Sequence, residues 1–90
     1  MDYIGEVVNG RLRLISPKDL FDRVVDLTRI SMQTAADPLS SQNKIDLSSY
    51  EGRVVAAEGR PLSDDDDLIW DAKLVGVMQP LSEEMINETS

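Results

Sequence analysis

Two runs of alternating apolar residues, YIGEVV and RLRLI, meet at Asn9 and Gly10. Asn-Gly tolerates the positive φ angles of a type I′ turn, whose twist matches that of paired strands, so residues 3–15 are predicted to form a β-hairpin. A two-residue loop also fixes the register. Val8 then faces Arg11, Val7 faces Leu12, Glu6 faces Arg13, Gly5 faces Leu14 and Ile4 faces Ile15. Tyr3, Gly5, Val7, Leu12 and Leu14 share the core side. On the other side Glu6 and Arg13 form an opposite-charge pair worth about 0.2–1 kcal/mol.

The period changes in SPKDLFDRVVDLTRISM, residues 16–32. Ser16 suits an N-cap, Pro17 the first helical position, and Asp19 lies three residues past the cap. At about 100° per residue, Leu20, Phe21, Val24, Val25 and Leu27 fall on one arc, with Ile30 outside it, and the charged residues fall on the other. An amphipathic helix is predicted here. The β-branched residues of VVDLTRISM support a competing reading, a helix that ends near Arg23 and a strand after it.

QTAADPLSSQN, residues 33–43, is small, polar and interrupted by Pro38, and reads as a loop. Ile45 and Leu47 alternate as a short strand, residues 48–52 turn, and residues 53–58 form a strand ending at Gly59. Val54, Val55, Ala56 and Ala57 make that strand apolar on both faces, which suits a central position. In the last strand, residues 68–78, Trp70, Ala72, Leu74, Gly76 and Met78 are expected to point inward. Ile69, Asp71, Lys73, Val75 and Val77 are expected to point outward. Residues 80–90 form an acidic C-terminal tail, in which a turn capped by Ser82 brings Met85 or Ile86 against the body.

The predicted order is strand, strand, helix, strand, strand, strand, in one domain of residues 1–79. The fold class is mostly β, a β-rich α+β domain. It is a small five-stranded OB-like or SH3-like barrel, or a curved antiparallel sheet, with one helix. A chain of 90 residues supports a single small core.

Residues 45–77, IDLSSYEGRVVAAEGRPLSDDDDLIWDAKLVGV, resemble a pattern of small OB-fold domains. In that pattern a turn ends in Tyr-x-Gly, an alternating strand ends in Gly, and a return strand carries an aromatic followed by Ala-Lys-Val-like residues. The matching positions are Leu47, Tyr50, Gly52, Val54, Ala56, Gly59, Trp70, Ala72 and Val75. The hairpin and the helix ahead of the segment depart from the pattern. The resemblance implies a sheet face that binds oligonucleotides, oligosaccharides or proteins, and binding rather than catalysis.

Composition narrows the chemistry. At 41% hydrophobic and 29% charged the chain has globular usage despite its net charge of -8. Without cysteine or histidine, disulfides and zinc, haem and iron-sulfur chemistry drop out, and so does the usual general base. No catalytic constellation is visible and no cofactor is expected. The start, MDYIGEVV, has no leader pattern, and no window reaches about 18 apolar residues, so a soluble, cytoplasmic chain is expected. With 17 carboxylates against 9 bases, both a phosphate backbone and an anionic membrane surface are repelled.

Asp64, Asp65, Asp66 and Asp67 offer oxygen ligands, but a calcium loop counted from Asp64 needs glycine and glutamate where Ile69 and Val75 stand. They read as a solvated loop between strands, with weak divalent-cation binding as the alternative. The other binding candidates are Tyr50, as a stacking platform, with Arg13, Arg53, Arg60 and Lys73 as basic contacts. The expected function is a non-catalytic interaction module for a protein or peptide, monomeric or a small homo-oligomer. An OB-type single-stranded nucleic-acid binding domain is the alternative.

Overall fold

The computed structural model describes residues 1–63 and 65–78. Asp64 and the acidic tail, with its Ser82 turn, lie outside the described residues. The hairpin forms as its turn chemistry demands: Asn9 and Gly10 have φ of 53° and 75° and join β1 (Asp2–Val8) to β2 (Arg11–Ser16). The register follows expectation from Val8 opposite Arg11 to Gly5 opposite Leu14. There it slips, and Ile4 faces Ser16 instead of Ile15. Ile15 is the extra residue of a bulge, which bends the strand and leaves the side chain exposed. Gly5 permits the closeness of the two strands, because a Cβ there would stand 2.7 Å from the Arg13 carbonyl oxygen.

The helix expected over residues 16–32 does not form. Lys18–Leu20 make one 3-10 turn, Asp22 takes φ of 72°, and Val24–Leu27 form β3, antiparallel to β2 with Val25 opposite Leu12. The competing strand reading is the correct one in type. An isolated helix of this length is marginal, whereas β-branched Val24 and Val25 fit a pleated ladder that β2 supplies. The supposed apolar arc is split accordingly: Val25 and Leu27 are buried while Phe21 is 65% exposed.

Ile45 and Leu47 are buried, but the only pairing in their segment is a single bridge between Thr28 and Lys44. After the 3-10 turn Ser48–Tyr50 and Gly52 (φ 79°) the chain enters β4 (Val54–Glu58). β4 lies between β1 and the last strand, the interior place its two apolar faces predict.

The single strand expected at 68–78 is two, β5 (Leu68–Ile69) and β6 (Lys73–Met78), separated at Asp71 (φ 52°). β5 runs parallel to β3, and β6 antiparallel to β4. The break resets the alternation. Ile69, expected outside, is fully buried, whereas Trp70 and Leu74 are half-buried and Gly76 and Met78 are exposed; Ala72 alone is buried as expected. A second bulge, between Ala56 and Ala57, places Leu74 opposite Ala57 and leaves Val75 as the extra residue.

The six strands make one mixed sheet in the order β5-β3-β2-β1-β4-β6. The domain is mostly β as expected, with six strands instead of five, and no α-helix among the described residues. It is not a closed barrel, although its two ends belong to consecutive stretches of chain. Residues 70–72 tie to both ends: Arg60 N–H donates to the Trp70 carbonyl (2.9 Å), and Asp71 and Ala72 N–H donate to Ile30 (3.0 Å) and Thr28 (2.8 Å). The core fills one side, built on Tyr3, Leu12, Leu14, Leu27, Leu47 and Ile69. Among the described residues no helix is long and apolar enough to cross a membrane.

Candidate functional site

The five sequence-predicted contacts are dispersed. Tyr50 closes the 3-10 turn and packs half-buried on the core. Arg53, exposed, follows at the start of β4, where Val7 N–H donates to its carbonyl (2.9 Å). Arg60 and Lys73 stand at the opposite end of β4, Arg60 with Nε 3.0 Å from Asp71 and Lys73 facing Glu58 across the ladder. Arg13 lies on the outer sheet face, 2.6 Å from Glu6 and 3.5 Å from Asp22. No basic groove with an aromatic floor results.

The acidic loop is fastened rather than merely solvated. Arg23, on the approach to β3, places Nε 3.1 Å from Asp67 Oδ1 and donates through Nη2 to the carbonyls of Ser63 (3.1 Å) and Asp66 (2.7 Å). The Trp70 indole N–H reaches Asp66 Oδ2 at 3.5 Å, and Asp26 N–H donates to the Asp67 carbonyl at 2.8 Å. A guanidinium with a planar array of donors can hold several oxygens at once, which offsets the repulsion of neighbouring aspartates. Among the described residues no three acidic side chains converge as a metal-binding group.

Two further carboxylates organise turns. The Glu51 oxygens accept from the N–H groups of Asn9 (2.6 Å) and Gly10 (2.9 Å), tying the hairpin tip to the turn before β4. Asp46 accepts from Ser48 N–H (2.9 Å), and this bond, followed by that of the Ser48 hydroxyl, holds its carboxyl below the usual range. The Tyr3 hydroxyl donates to the Arg60 carbonyl at 2.6 Å. Burial pushes its pKa up, and a hydrogen bond from the Leu62 backbone opposes the shift.

What the sequence reading missed is the outer face of β1, β4 and β6. Residues alternating with the core-facing Tyr3, Val7, Val55 and Ala57 must point outward, and here Ile4, Val8, Val54 and Ala56 are apolar, interrupted by Glu6, which pairs with Arg13, and ending in Asp2 and Glu58. The ladders set Ile4 beside Ala56 and Val54 beside Met78. Val75, pushed out by its bulge, is 60% exposed and Met78 44%. A shallow groove of about 390 Å³ results, with Ile4, Ala56 and Val75 in its lining and Asp2 and Glu58 at its rim. The signal for it lay in the apolar run Val54, Val55, Ala56 and Ala57, which has a hydrophobic residue for each face. No family model matches the chain, and comparison with curated proteins and with solved structures finds no match.

Proposed function

We propose that the domain is a non-catalytic binding module that meets a protein or peptide partner through the outer face of β1, β4 and β6. The observation that carries this reading is the apolar groove of Ile4, Ala56 and Val75 there, with Val75 60% and Met78 44% exposed on a sheet that already has a core on its other side. Contiguous apolar surface with a polar rim is characteristic of contact sites. The strand pairing also supports the finer OB-like reading. If β5 and β6 are counted as one interrupted strand, the neighbours run 1-2-3-5-4-1, the order of a partly open OB barrel.

A photo-crosslinking side chain at Val75, introduced in cells, is expected to capture a discrete protein, and the same group at exposed Asp19 is not. Equal capture at both positions, or none at Val75, refutes the reading. Titration of labelled oligonucleotides at low salt checks the nucleic-acid alternative. Binding that weakens with salt and is lost in Tyr50→Ala would replace the proposal.

A further inference from the structure

We infer that the groove between β1 and β4 receives an apolar side chain flanked by lysine or arginine from a basic segment of a partner protein. This rests on the binding-module reading and adds the partner's chemistry. The bulge in β6 takes Val75 out of the ladder and sends it toward the groove, the kind of re-aiming for which bulges are used beside functional surfaces. Ile4 and Ala56, paired across β1 and β4, supply further apolar lining.

The rim supplies the charge. Asp2 and Glu58 stand directly opposite one another on adjacent strands, both exposed and both lining the groove. Like charges in directly opposite positions destabilise a sheet. Elsewhere among the described residues the carboxylates of Glu6, Asp22, Asp26, Asp67 and Asp71 lie within ion-pair distance of an arginine, while those of Asp19, Asp37, Asp46, Glu51, Asp65 and Asp66 do not. Among the described residues Asp2 and Glu58 have no such partner within 4.0 Å, and Lys73, opposite Glu58 on the ladder, makes no ion pair with it. A cation set between them relieves the repulsion, and its apolar neighbour fills the space over Val75. A net charge of -8 draws a basic segment toward this surface and opposes a second copy of the chain. The chain's own residues 79–90, with three glutamates and no base, have the wrong charge for the rim.

The test is an amide-resolved NMR titration of the full chain with acetyl-Lys-Val-Leu-Lys-amide, against acetyl-Glu-Val-Leu-Glu-amide and acetyl-Lys-Gly-Gly-Lys-amide. The first peptide is expected to shift Ile4, Ala56 and Val75 and to bind about fivefold or more tightly than either control, with affinity falling as salt rises. The double variant Asp2→Asn, Glu58→Gln and, separately, Val75→Ser are each expected to lose about fivefold or more while Trp70 fluorescence stays native. Equal binding of the acidic peptide, shifts confined to other surfaces, or no shift at about 10 mM peptide overturns the inference. So does self-association of the chain that Val75→Ser abolishes, because the groove then takes a second copy. If Val75 crosslinks a cellular partner and the basic peptide does not bind, the binding face stands and only its proposed chemistry falls.

Discussion

A methyl group at position 59 meets a buried side chain and two main-chain atoms. In Gly59→Ala the new Cβ would stand 2.5 Å from Ile69 Cγ2, 3.0 Å from the Trp70 carbonyl oxygen and 3.3 Å from Ala72 Cα. Carbon atoms in contact sit about 3.5–4.0 Å apart, so the overlap with Ile69 is about 1 Å. Ile69 is fully buried and cannot swing into solvent, and the other two neighbours are main chain. Overpacking costs about 1–3 kcal/mol, and a crossing made of backbone belongs at the upper end. Alanine's smaller unfolded-state entropy returns about 0.4–1 kcal/mol. The net loss is about 2 kcal/mol, which for a domain of this size lowers the melting temperature by about 8–16 °C. Urea unfolding followed by Trp70 fluorescence and by far-ultraviolet circular dichroism measures it. Gly76→Ala is the control, since nothing lies within 4 Å of a Cβ there, and it is expected to stay within about 0.5 kcal/mol of the parent. If Gly59→Ala does the same, the close crossing of residues 69–72 over the end of β4 is not what shapes the sheet.

Two further expectations follow from single hydroxyls. Tyr3→Phe removes the donor to the Arg60 carbonyl and is expected to cost about 1–2 kcal/mol in the same urea assay at neutral pH. Because the folded pKa of Tyr3 is raised above the ordinary 10.0, its contribution is complete below that pH. It is lost as pH rises toward the folded value, since the unfolded chain ionises first. The gap between parent and Tyr3→Phe should therefore narrow above pH 10.0, and a gap that widens contradicts the buried, neutral hydroxyl. Asp46 has the opposite sign: its lowered carboxyl stabilises above the ordinary carboxylate pKa and loses that effect as pH falls through the folded value. Carbon-detected NMR titration should show its midpoint rising in Ser48→Ala, though only in part, because the backbone N–H bond remains.

The hairpin was legible because its information is local: Asn9 and Gly10 encode the turn, and a two-residue turn encodes the register. The slip at Ile4 was not, because a bulge at Ile15 leaves no mark in the alternation of apolar residues. Residues 16–32 misled for a physical reason, since Ser16, Pro17 and the spacing of Leu20, Val24 and Leu27 are all compatible with a helix. What decides against it is pairing with Leu12 before and Leu68 far ahead. The face assignment of Trp70 failed because alternation presumes an unbroken strand, and Asp71 breaks it. Asp65, Asp66 and Asp67 were rightly placed in a loop, but their anchor, Arg23, lies 44 residues from Asp67 and has no local signature. The basic candidates scattered because sequence proximity says nothing of which face or which end of a strand a side chain occupies. The outer groove needed three strands and a bulge before it existed.

The two-rung parallel joint between β3 and β5 also bears on how the molecule assembles and comes apart. Leu27 and Ile69 are 42 positions apart (69 minus 27), whereas the hairpin joins neighbours through two residues. Local hairpins close within about 1–10 μs, and long-range parallel pairing comes later because chain entropy must be spent before any contact rewards it. The hairpin is thus the most local pairing of the sheet, and the β3–β5 joint that Arg23 and the aspartate loop hold is, with the β1–β4 ladder, among its long-range ones. A seam of two rungs is also the first to open. The most acidic stretch of the chain thus fastens, through Arg23, the narrowest seam of the sheet.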